Sequence, residues 1–305
     1  MQKSEIRKDY LLNKYVIITP GRLSRPRDIS EQTILHREKT CVFCPTNIEK
    51  SLIVDQTTIK NKWQAIALKN KFPAVNLANK KAYGWQEVIV ETPKHGVEMS
   101  QLTEAEILAV LQMYKKRTEE ISKKKKLDYI LVFKNKGSKA GASILHAHSQ
   151  IFATNLLPPD VQEELTAARQ YKNDNKKCPY CDIIKKESRG TRKIFADSNA
   201  VAIAPYASAF HYESWIFAKR HIDNITSLTD KELKSFAKIL KRLLSKLLTI
   251  DVSYNFFMHQ VISDKDQHFY IKIQPRESVW AGVELGSGLV INSISPEAAA
   301  KFYRK

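Results

Sequence analysis

The sequence lacks any apolar run that approaches the roughly 18 residues needed by a membrane-spanning helix. Its first residues, Met1–Lys8, also lack an apolar stretch of the signal-peptide type. These two absences predict a cytoplasmic protein that does not insert into a membrane. The chain has 305 residues, 43% of them hydrophobic, which is enough for two packed domains of about 150 residues each.

Cysteine is scarce, because the chain has only four. All four fall in two Cys-x-x-Cys pairs, Cys41 with Cys44 and Cys178 with Cys181, so none is left over. In a cytosolic protein this arrangement favours metal ligation over a disulfide framework. A single pair could equally be two buried thiols or a redox couple, but two copies in matching surroundings favour metal binding.

Acidic residues are in the minority, with Asp and Glu numbering 32 against 50 Lys and Arg, and the net charge is +18. Such a charge suits polyanions and phosphorylated small molecules alike. A zinc-stabilised nucleic-acid-binding protein is therefore one hypothesis. It is the less favoured one, because the sequence lacks the aromatic and basic repeats of known nucleic-acid modules, and we predict no nucleic-acid partner.

The two halves of the chain repeat one pattern. After each Cys-x-x-Cys pair comes a His, and a Thr and a Glu follow that His by eight and eleven residues. These positions are His95, Thr103 and Glu106 in the first half and His221, Thr229 and Glu232 in the second. Thr-x-x-Glu is a capping box, which predicts that a helix begins at the same point of each repeat.

Strand-like runs flank each predicted helix, and the order in both halves is strand, helix, strand and motif strand. The order predicts an α+β fold with mostly antiparallel sheets packed against helices, since parallel βαβ units would alternate differently. A predicted helix, Pro159–Gln170, leads into a polar segment, residues 172–177. We place the boundary there, which gives domains 1–171 and 172–305.

Each Cys-x-x-Cys pair has two distal histidines that could complete a tetrahedral site. Thiolates and imidazoles are ligands suited to Zn²⁺, and four protein ligands make a closed, structural site. The gaps between the ligands far exceed the roughly 12 to 15 residues of a zinc finger, so each site requires a folded domain. The predicted ligands are Cys41, Cys44, His95 and His146 for the first ion and Cys178, Cys181, His221 and His268 for the second.

Only the first half continues its last histidine into a further His and an amide, as His146-Ala-His148-Ser-Gln150. On an extended strand these three polar residues share one face. If a metal ion holds His146, the neighbouring His148 is rigidly mounted and can act as a nucleophile, while Gln150 donates to a phosphoryl oxygen. The equivalent positions of the second half are Tyr270 and Lys272.

Glycine is also scarce, with nine residues in the whole chain. Two of them, Gly137 and Gly141, lie just upstream of the histidine strand, in the segment Asn135–Ser143, which also contains Lys136. Amides, glycines and lysines in one short loop are typical of anion binding. An ordinary tight turn is the alternative, but the position beside the histidines favours a phosphate-binding loop.

At these residues the chain resembles the galactose-1-phosphate uridylyltransferase family, the transferase branch of the histidine-triad superfamily. The resemblance covers nearly the whole length and implies two tandem histidine-triad-like domains. The matching positions are Arg7–Asp9, Tyr15–Pro20, Arg22, Arg25–Pro26, Asn70–Pro73, Asn135–Gly137, Gly141–Ser143, His146–Gln150, Gly282–Glu284, Gly288 and Ile291–Asn292.

The resemblance implies a ping-pong nucleotidyltransferase of carbohydrate and galactose metabolism, which moves UMP from UDP-glucose to a hexose 1-phosphate through a covalent nucleotidyl-His148. It further implies a homodimer, in which the region near Glu284 serves the neighbouring subunit's site. The roles that it implies are phosphoryl contacts for Gln150 and Ser143, nucleotide phosphate contacts for Arg22 and Arg25, nucleoside contacts for Asn70, Phe72 and Asn135, and a sugar-hydroxyl contact for Glu284.

The chain departs from the better-known uridylyl members of that family. It has Ala147-His148-Ser149 where they have Pro-His-Gly, and it lacks their Lys and Tyr near Ser278 and Val283. With its second Cys-x-x-Cys pair it looks more like the adenylyl-transferring branch. The alternative function is therefore an ADP-glucose or dinucleotide phosphorylase, or an adenylyltransferase, that uses the same histidine.

Overall fold

The computed structural model describes residues 5–18, 41–262 and 264–305. In these ranges the chain forms six α-helices: α1 (Glu104–Ser122), α2 (Pro159–Asn175), α3 (Pro179–Glu187), α4 (Asp230–Leu248), α5 (Gly282–Ser287) and α6 (Pro296–Arg304). None of the helices in the described part of the chain is long and apolar enough to cross a membrane.

The strands in the described ranges are β1 (Glu5–Lys8), β2 (Tyr15–Ile18), β3 (Ile53–Ile59), β4 (Lys62–Lys69), β5 (Gly84–Val90), β6 (Tyr129–Lys136), β7 (His148–Thr154), β8 (Lys193–Ala196), β9 (Ala200–Ile203), β10 (Ser214–Ala218), β11 (Tyr254–His259), β12 (Tyr270–Pro275) and β13 (Val290–Asn292). Helices and antiparallel strands together confirm the predicted α+β class.

Ten strands form one sheet in the order β3-β4-β5-β7-β6-β11-β12-β10-β9-β8, and every neighbouring pair is antiparallel. Outward from the centre, each half contributes its five strands in the same sequence-relative order, as the internal repeat implies. The halves meet where β6 pairs with β11, with Asn135 opposite Asn255. The division into domains 1–171 and 172–305 stays a prediction.

Both predicted capping boxes are confirmed. In α1 the Thr103 hydroxyl accepts a hydrogen bond from the Glu106 amide at 3.2 Å, and the Glu106 carboxylate accepts one from the Thr103 amide at 2.8 Å. Thr229 and Glu232 do the same for α4 at 3.3 and 2.8 Å. Each helix therefore begins with its first amide hydrogens satisfied.

The two faces of the sheet differ. Buried residues of α1 and α4 and of the central strands form one apolar cluster that spans both halves, and the two helices pack together. Along β7 the core-facing Ser149, Ile151 and Ala153 are buried, whereas His148 and Gln150 are only half-buried. The open face of β7 therefore carries His148 and Gln150.

The polar segment at residues 172–177 was expected to separate the halves, but most of it is helical. Helix α2 continues to Asn175 and ends at Lys176, whose φ of 57° lies in the left-handed region. The polar residues are mostly exposed on the last turns of α2. Their polarity therefore reflects contact with water, which a helix tolerates as well as a loop does.

A separate three-stranded sheet joins the two ends of the described chain. Strand β2 pairs antiparallel with β1 and parallel with β13. Residues 19–40 directly follow β2, and the predicted phosphate contacts Arg22 and Arg25 lie there, outside the described residues.

Candidate active site and metal centres

The four predicted ligands of the first metal site come together. Cys41 and Cys44 occupy a turn before β3, His95 follows β5, and His146 precedes β7. Their ligand atoms all lie within 4.8 Å of one another, so the group could hold a metal ion. His95 and His146 meet here because β5 and β7, which they follow and precede, are neighbours in the sheet.

A hydrogen bond to the backbone orients the His146 ring of this group. The Nε2–H of His146 points at the carbonyl oxygen of Thr92, 2.8 Å away, which leaves Nδ1 as the free donor atom. This Nδ1 lies 3.7 Å from the Sγ atoms of both Cys41 and Cys44. The Nδ1 of His95 lies 3.4 Å from the Sγ of Cys44.

The second group is built in the same way from Cys178, Cys181, His221 and His268, and it too could hold a metal ion. The Sγ of Cys181 lies 3.6 Å from Nδ1 of His221 and 3.7 Å from Nδ1 of His268. Backbone carbonyls of Lys265 and Ala218 accept from the other ring nitrogens, both at 2.9 Å. The two halves therefore bring together the same four residue types, although the gaps to the distal histidines differ.

One expectation about the reactive strand is wrong. His146 was placed on the strand, but β7 begins at His148 and β12 begins at Tyr270, two residues after His268. His146 precedes the strand, with one ring nitrogen directed at the Thr92 carbonyl and the other toward the thiols. Within the strand, His148 and Gln150 do share the half-buried face.

The ring of His148 is fixed in position. Its Nδ1–H donates to the carbonyl oxygen of His146 at 2.9 Å, so Nε2 carries the free lone pair. The Phe43 ring, from the first Cys-x-x-Cys turn, packs against it with centroids 5.1 Å apart. Burial lowers the pKa of His148 to about 4, so the imidazole is neutral at physiological pH.

A buried charged cluster that was not predicted from the sequence lies beneath His148. The Lys134 ammonium donates to the carbonyl oxygen of His148 at 3.2 Å and to the Glu91 carboxylate at 2.8 Å, and Glu98 lies 3.1 Å away. Burial by itself would lower the pKa of Lys134, but the two carboxylates raise it, so the lysine stays charged. The available signal was a lysine at a core-facing position of a strand.

The predicted phosphate-binding loop, residues 135–143, which we call the anion loop, forms a tight turn after β6. A short 3₁₀ helix, Ser138–Ala140, lies between Gly137 and Gly141, both with φ of 82°. A Cβ on Gly137 would stand 2.2 Å from the Ser253 hydroxyl, so the turn is pressed against the second half. Ser143 is exposed beyond it.

Lys136 and Asn135 also face the second half. The Lys136 ammonium donates to the Asp251 carboxylate at 3.1 Å and to the Val252 carbonyl at 3.3 Å. The structure thus places Lys136 in an ion pair behind the loop. The Oδ1 of Asn135 accepts a hydrogen bond from Asn255 at 2.8 Å.

The remaining predicted contacts lie on separate loops. In the turn after β4, Asn70 Oδ1 accepts from the Phe72 amide at 2.9 Å, and the Phe72 ring is 86% exposed. Glu284 lies in α5, where its two carboxylate oxygens accept from the amides of Ala281 at 2.9 Å and Ile291 at 3.2 Å.

In the second half, the position equivalent to His148 is occupied by a buried tyrosine. Tyr270 is 1% exposed, stacks on His259 at 4.3 Å and donates to the Glu164 carboxylate at 2.8 Å. Lys272, in the place of Gln150, lies 4.8 Å from the centre of the Trp215 ring. The four-residue group of Cys and His is therefore present in both halves, whereas the additional half-buried imidazole at this position is present in the first half alone.

Comparison with known proteins identifies related chains along the full length. ADP-glucose phosphorylase from Arabidopsis thaliana is 30% identical, with 100% of this chain and 93% of that protein covered. Its crystal structure with bound ADP-glucose superimposes with a TM-score of 0.87 at 29% identity and covers 100% of this chain and 99% of that one.

Galactose-1-phosphate uridylyltransferase from Thermotoga maritima is 28% identical, with 99% of this chain and 98% of that protein covered. A solved uridylyltransferase structure has a TM-score of 0.77 at 28% identity over 99% of this chain and 97% of that one.

Two family profiles match the sequence. One, described as a domain of unknown function (DUF4921), matches residues 94–302. The other, described as the N-terminal domain of galactose-1-phosphate uridyl transferase, matches residues 1–158, slightly more than half of the chain. With the full-length relatives, this match shows that the chain belongs to the galactose-1-phosphate uridylyltransferase family of nucleotidyltransferases.

Proposed function

We propose that the protein transfers UMP from UDP-glucose to a hexose 1-phosphate such as galactose 1-phosphate, through a covalent nucleotidyl-histidine at His148. One observation carries the proposal above all others. The His146 carbonyl fixes the proton of His148 on Nδ1, which leaves Nε2 as a neutral nucleophile on the open face of the sheet.

In the first half-reaction, the Nε2 lone pair of His148 attacks the α-phosphorus of the nucleotide sugar. A nitrogen–phosphorus bond forms, the bond from phosphorus to the bridging oxygen breaks, and hexose 1-phosphate leaves with that electron pair. The ring keeps its Nδ1 proton and becomes positively charged, so its bond to the His146 carbonyl strengthens as charge develops.

In the second half-reaction, a phosphate oxygen of the acceptor attacks the same phosphorus. The nitrogen–phosphorus bond breaks, and its electron pair returns to Nε2, which restores the neutral imidazole. Gln150 lies on the same face two residues along β7, about 7 Å from His148. Its amide would donate to the phosphoryl oxygens in both steps, together with the exposed hydroxyl of Ser143.

We further propose that both four-residue groups bind Zn²⁺. Zn–S bonds of about 2.3 Å and Zn–N bonds of about 2.05 Å at a tetrahedral angle place sulfur and nitrogen about 3.6 Å apart. The Sγ to Nδ1 distances of 3.4 to 3.7 Å match that edge. When bound, the ion supplies structural cross-linking, and in the first half it holds Phe43 and His146 in place around His148.

A second candidate function is phosphorolysis of ADP-glucose by the same histidine. The ADP-glucose phosphorylase structure superimposes better than the uridylyltransferase structure, with TM-scores of 0.87 and 0.77. The second Cys-x-x-Cys group and the Ala147-His148-Ser149 sequence also favour this branch. In that case inorganic phosphate replaces the hexose 1-phosphate as acceptor.

A labelling experiment tests the shared intermediate. The protein is incubated with UDP-glucose or ADP-glucose that carries label in the α-phosphate, and the labelled residue is located after an alkaline quench. We expect label on His148, none in His148→Ala, and normal labelling in Tyr270→Phe, which alters the equivalent position of the second half. An absence of label with both donors would contradict both candidate functions.

The acceptor is then identified by a chase. The labelled protein is offered galactose 1-phosphate, inorganic phosphate or buffer alone. Formation of UDP-galactose identifies the uridylyltransferase, whereas formation of ADP from phosphate identifies the phosphorylase. Label that is lost equally fast in buffer alone would identify a hydrolase instead.

We also propose that the protein is a homodimer in which Glu284 faces the partner's active site. Apolar side chains surround Glu284 at the surface, and Val279 and Leu285 are 78% and 75% exposed. Such exposure in one short segment is typical of an interface. Light scattering on the native protein tests this proposal, and a monomer at micromolar concentration would contradict it.

A further inference from the structure

The active face of the sheet continues from the first half into the second. The pairing of β6 with β7 ends at Phe133 opposite Gln150, and continuation of that register by two residues brings Asn135 to the level of His148. On the other side of β6, Asn135 lies opposite Asn255 of β11. His148, Asn135 and Asn255 therefore form a row across three adjacent strands, about 4.8 Å apart, with side chains on one face.

Hydrogen bonds connect this row to an arginine of the second half. Arg276, which follows β12, donates from Nε to Asn255 Oδ1 at 2.6 Å. Asn255 Nδ2 donates to Asn135 Oδ1 at 2.8 Å and to the carbonyl oxygen of Ala140 at 2.9 Å. Both amide hydrogens of Asn255 are thus used, one on Asn135 and one on the anion loop.

The direction of these hydrogen bonds follows from the groups at the two ends. A guanidinium can only donate, and a backbone carbonyl can only accept. Asn255 lies between Arg276 and the Ala140 carbonyl, so its oxygen must face the arginine and its nitrogen must face the loop. The atom of Asn135 that meets this nitrogen must then be its oxygen.

Asn135 is left with its NH₂ group directed away from Asn255. Among the described residues, Asn135 Nδ2 donates no hydrogen bond, and it lies 4.0 Å from the point where a Cβ on Gly141 would stand. The amide therefore offers two hydrogens beside the anion loop, in the row that contains the nucleophile. Because an NH₂ group only donates, its partner on a ligand must be a hydrogen-bond acceptor, such as an oxygen of a nucleotide.

We propose that Asn255 and Arg276 of the second half are positioning residues of the nucleotidyl-transfer site, which orient the Asn135 amide so that its NH₂ group faces the nucleotide. The proposal rests on the proposed function, because that function supplies the nucleotide. In this proposal the second half orients a residue of the active site, in addition to packing against the first half. We call the hydrogen-bonded set Arg276, Asn255 and Asn135 the amide relay.

A double-mutant cycle tests the amide relay. If Asn255 acts through Asn135, Asn255→Ala lowers kcat/KM about tenfold in the wild-type background and less than about twofold in the Asn135→Ala background. Arg276→Lys keeps a donor at this position and retains most activity, whereas Arg276→Leu resembles Asn255→Ala. Equal losses from Asn255→Ala in the two backgrounds would overturn the proposal.

A control variant separates positioning from general destabilisation. Asn199 also donates through its side-chain amide, to the Ser235 hydroxyl at 2.9 Å, but it immediately precedes β9, which is three strands from β11. Asn199→Ala is expected to leave kcat/KM unchanged. Melting temperature and metal content are measured for every variant, and the relay variants should match the wild type in metal content.

A second measurement does not depend on activity. In ¹⁵N-labelled protein without substrate, the side-chain amide hydrogens of Asn255 should exchange with solvent at least about tenfold more slowly than those of Asn135, since only the former are hydrogen-bonded. Slower exchange at Asn135 would overturn the amide relay. If the wild type transfers no nucleotide, the proposed function fails, and this exchange measurement alone decides the geometry of the relay.

Discussion

His148 is surrounded by groups that each restrict it in a different way. The His146 carbonyl sets its tautomer, the Phe43 ring packs on its face, and the Lys134 ammonium holds its backbone carbonyl. The lysine is buried and charged, and its charge disfavours protonation of the ring above it. If His148 is the nucleophile, as proposed, these contacts keep it neutral and aligned before substrate arrives.

The pH dependence of the first half-reaction follows from this environment. Burial lowers the pKa of His148 to about 4, so the neutral, nucleophilic form persists well below the ordinary pKa of 6.5. Single-turnover labelling of His148 should be nearly constant between about pH 8 and about pH 5.5. Metal content is measured at each pH as a control, and a half-maximal rate near pH 6.5 at constant metal content would contradict the prediction.

At the scale of the elements, α1 and α4 perform the same task in the two halves. Each begins at a Thr and Glu capping box, and the two helices pack side by side on the face of the sheet that is opposite to the site. Their shared burial leaves the other face of the central strands free for substrate. The capping residues stabilise the starts of α1 and α4, and they do not contact His148.

Removal of one cap therefore separates stability from activity. Thr229→Ala removes the hydroxyl that accepts from the Glu232 amide, and we expect a loss of about 1 kcal/mol in the free energy of unfolding. Activity per folded molecule should be unchanged. Thr103→Ala in α1 is the matched variant, and urea unfolding measures both. A loss below about 0.3 kcal/mol in both variants would show that the caps are not important for stability.

At the scale of the whole molecule, the two candidate metal-binding groups contain the same residue types but have different neighbours. The first group includes His146, whose carbonyl orients His148, and its Cys-x-x-Cys turn carries Phe43. The second group lies beside the packed ring of Tyr180, 6.2 Å from that of His268. Loss of a ligand from the first group should lower both kcat and folding stability. Loss of a ligand from the second group should lower folding stability alone.

Matched ligand substitutions test this difference. Cys41→Ser and Cys178→Ser should each lose one metal ion and lower the melting temperature by about 5 °C or more. Cys41→Ser should also lower kcat of the remaining folded protein at least about tenfold, whereas Cys178→Ser should change it less than about twofold. Metal analysis, calorimetry and the labelling assay measure these effects. Equal loss of kcat in the two variants would contradict the assignment.

The internal repeat, the capping boxes, the α+β class and the membership of each metal-binding group could all be predicted from the sequence. The Cys-x-x-Cys pairs and the offsets of Thr and Glu from the preceding His are identical in the two halves, whereas the distal histidines follow from residue type and order, since their gaps differ. Cys41 and Cys44 lie in one turn, and Thr103 and Glu106 lie in one helix start, so local geometry determines their contacts.

Other features were decided only by the tertiary structure. The start of β7 at His148, the burial of Lys134 beneath it and the amide relay from Arg276 to Asn135 join segments that are distant in sequence. The pairing of β6 with β11 brings Asn255 into the row of His148, and no spacing within either half encodes that pairing. Long-range contacts depend on how the sheet is assembled, because a strand's own residues set which side chains share a face but do not select its neighbour.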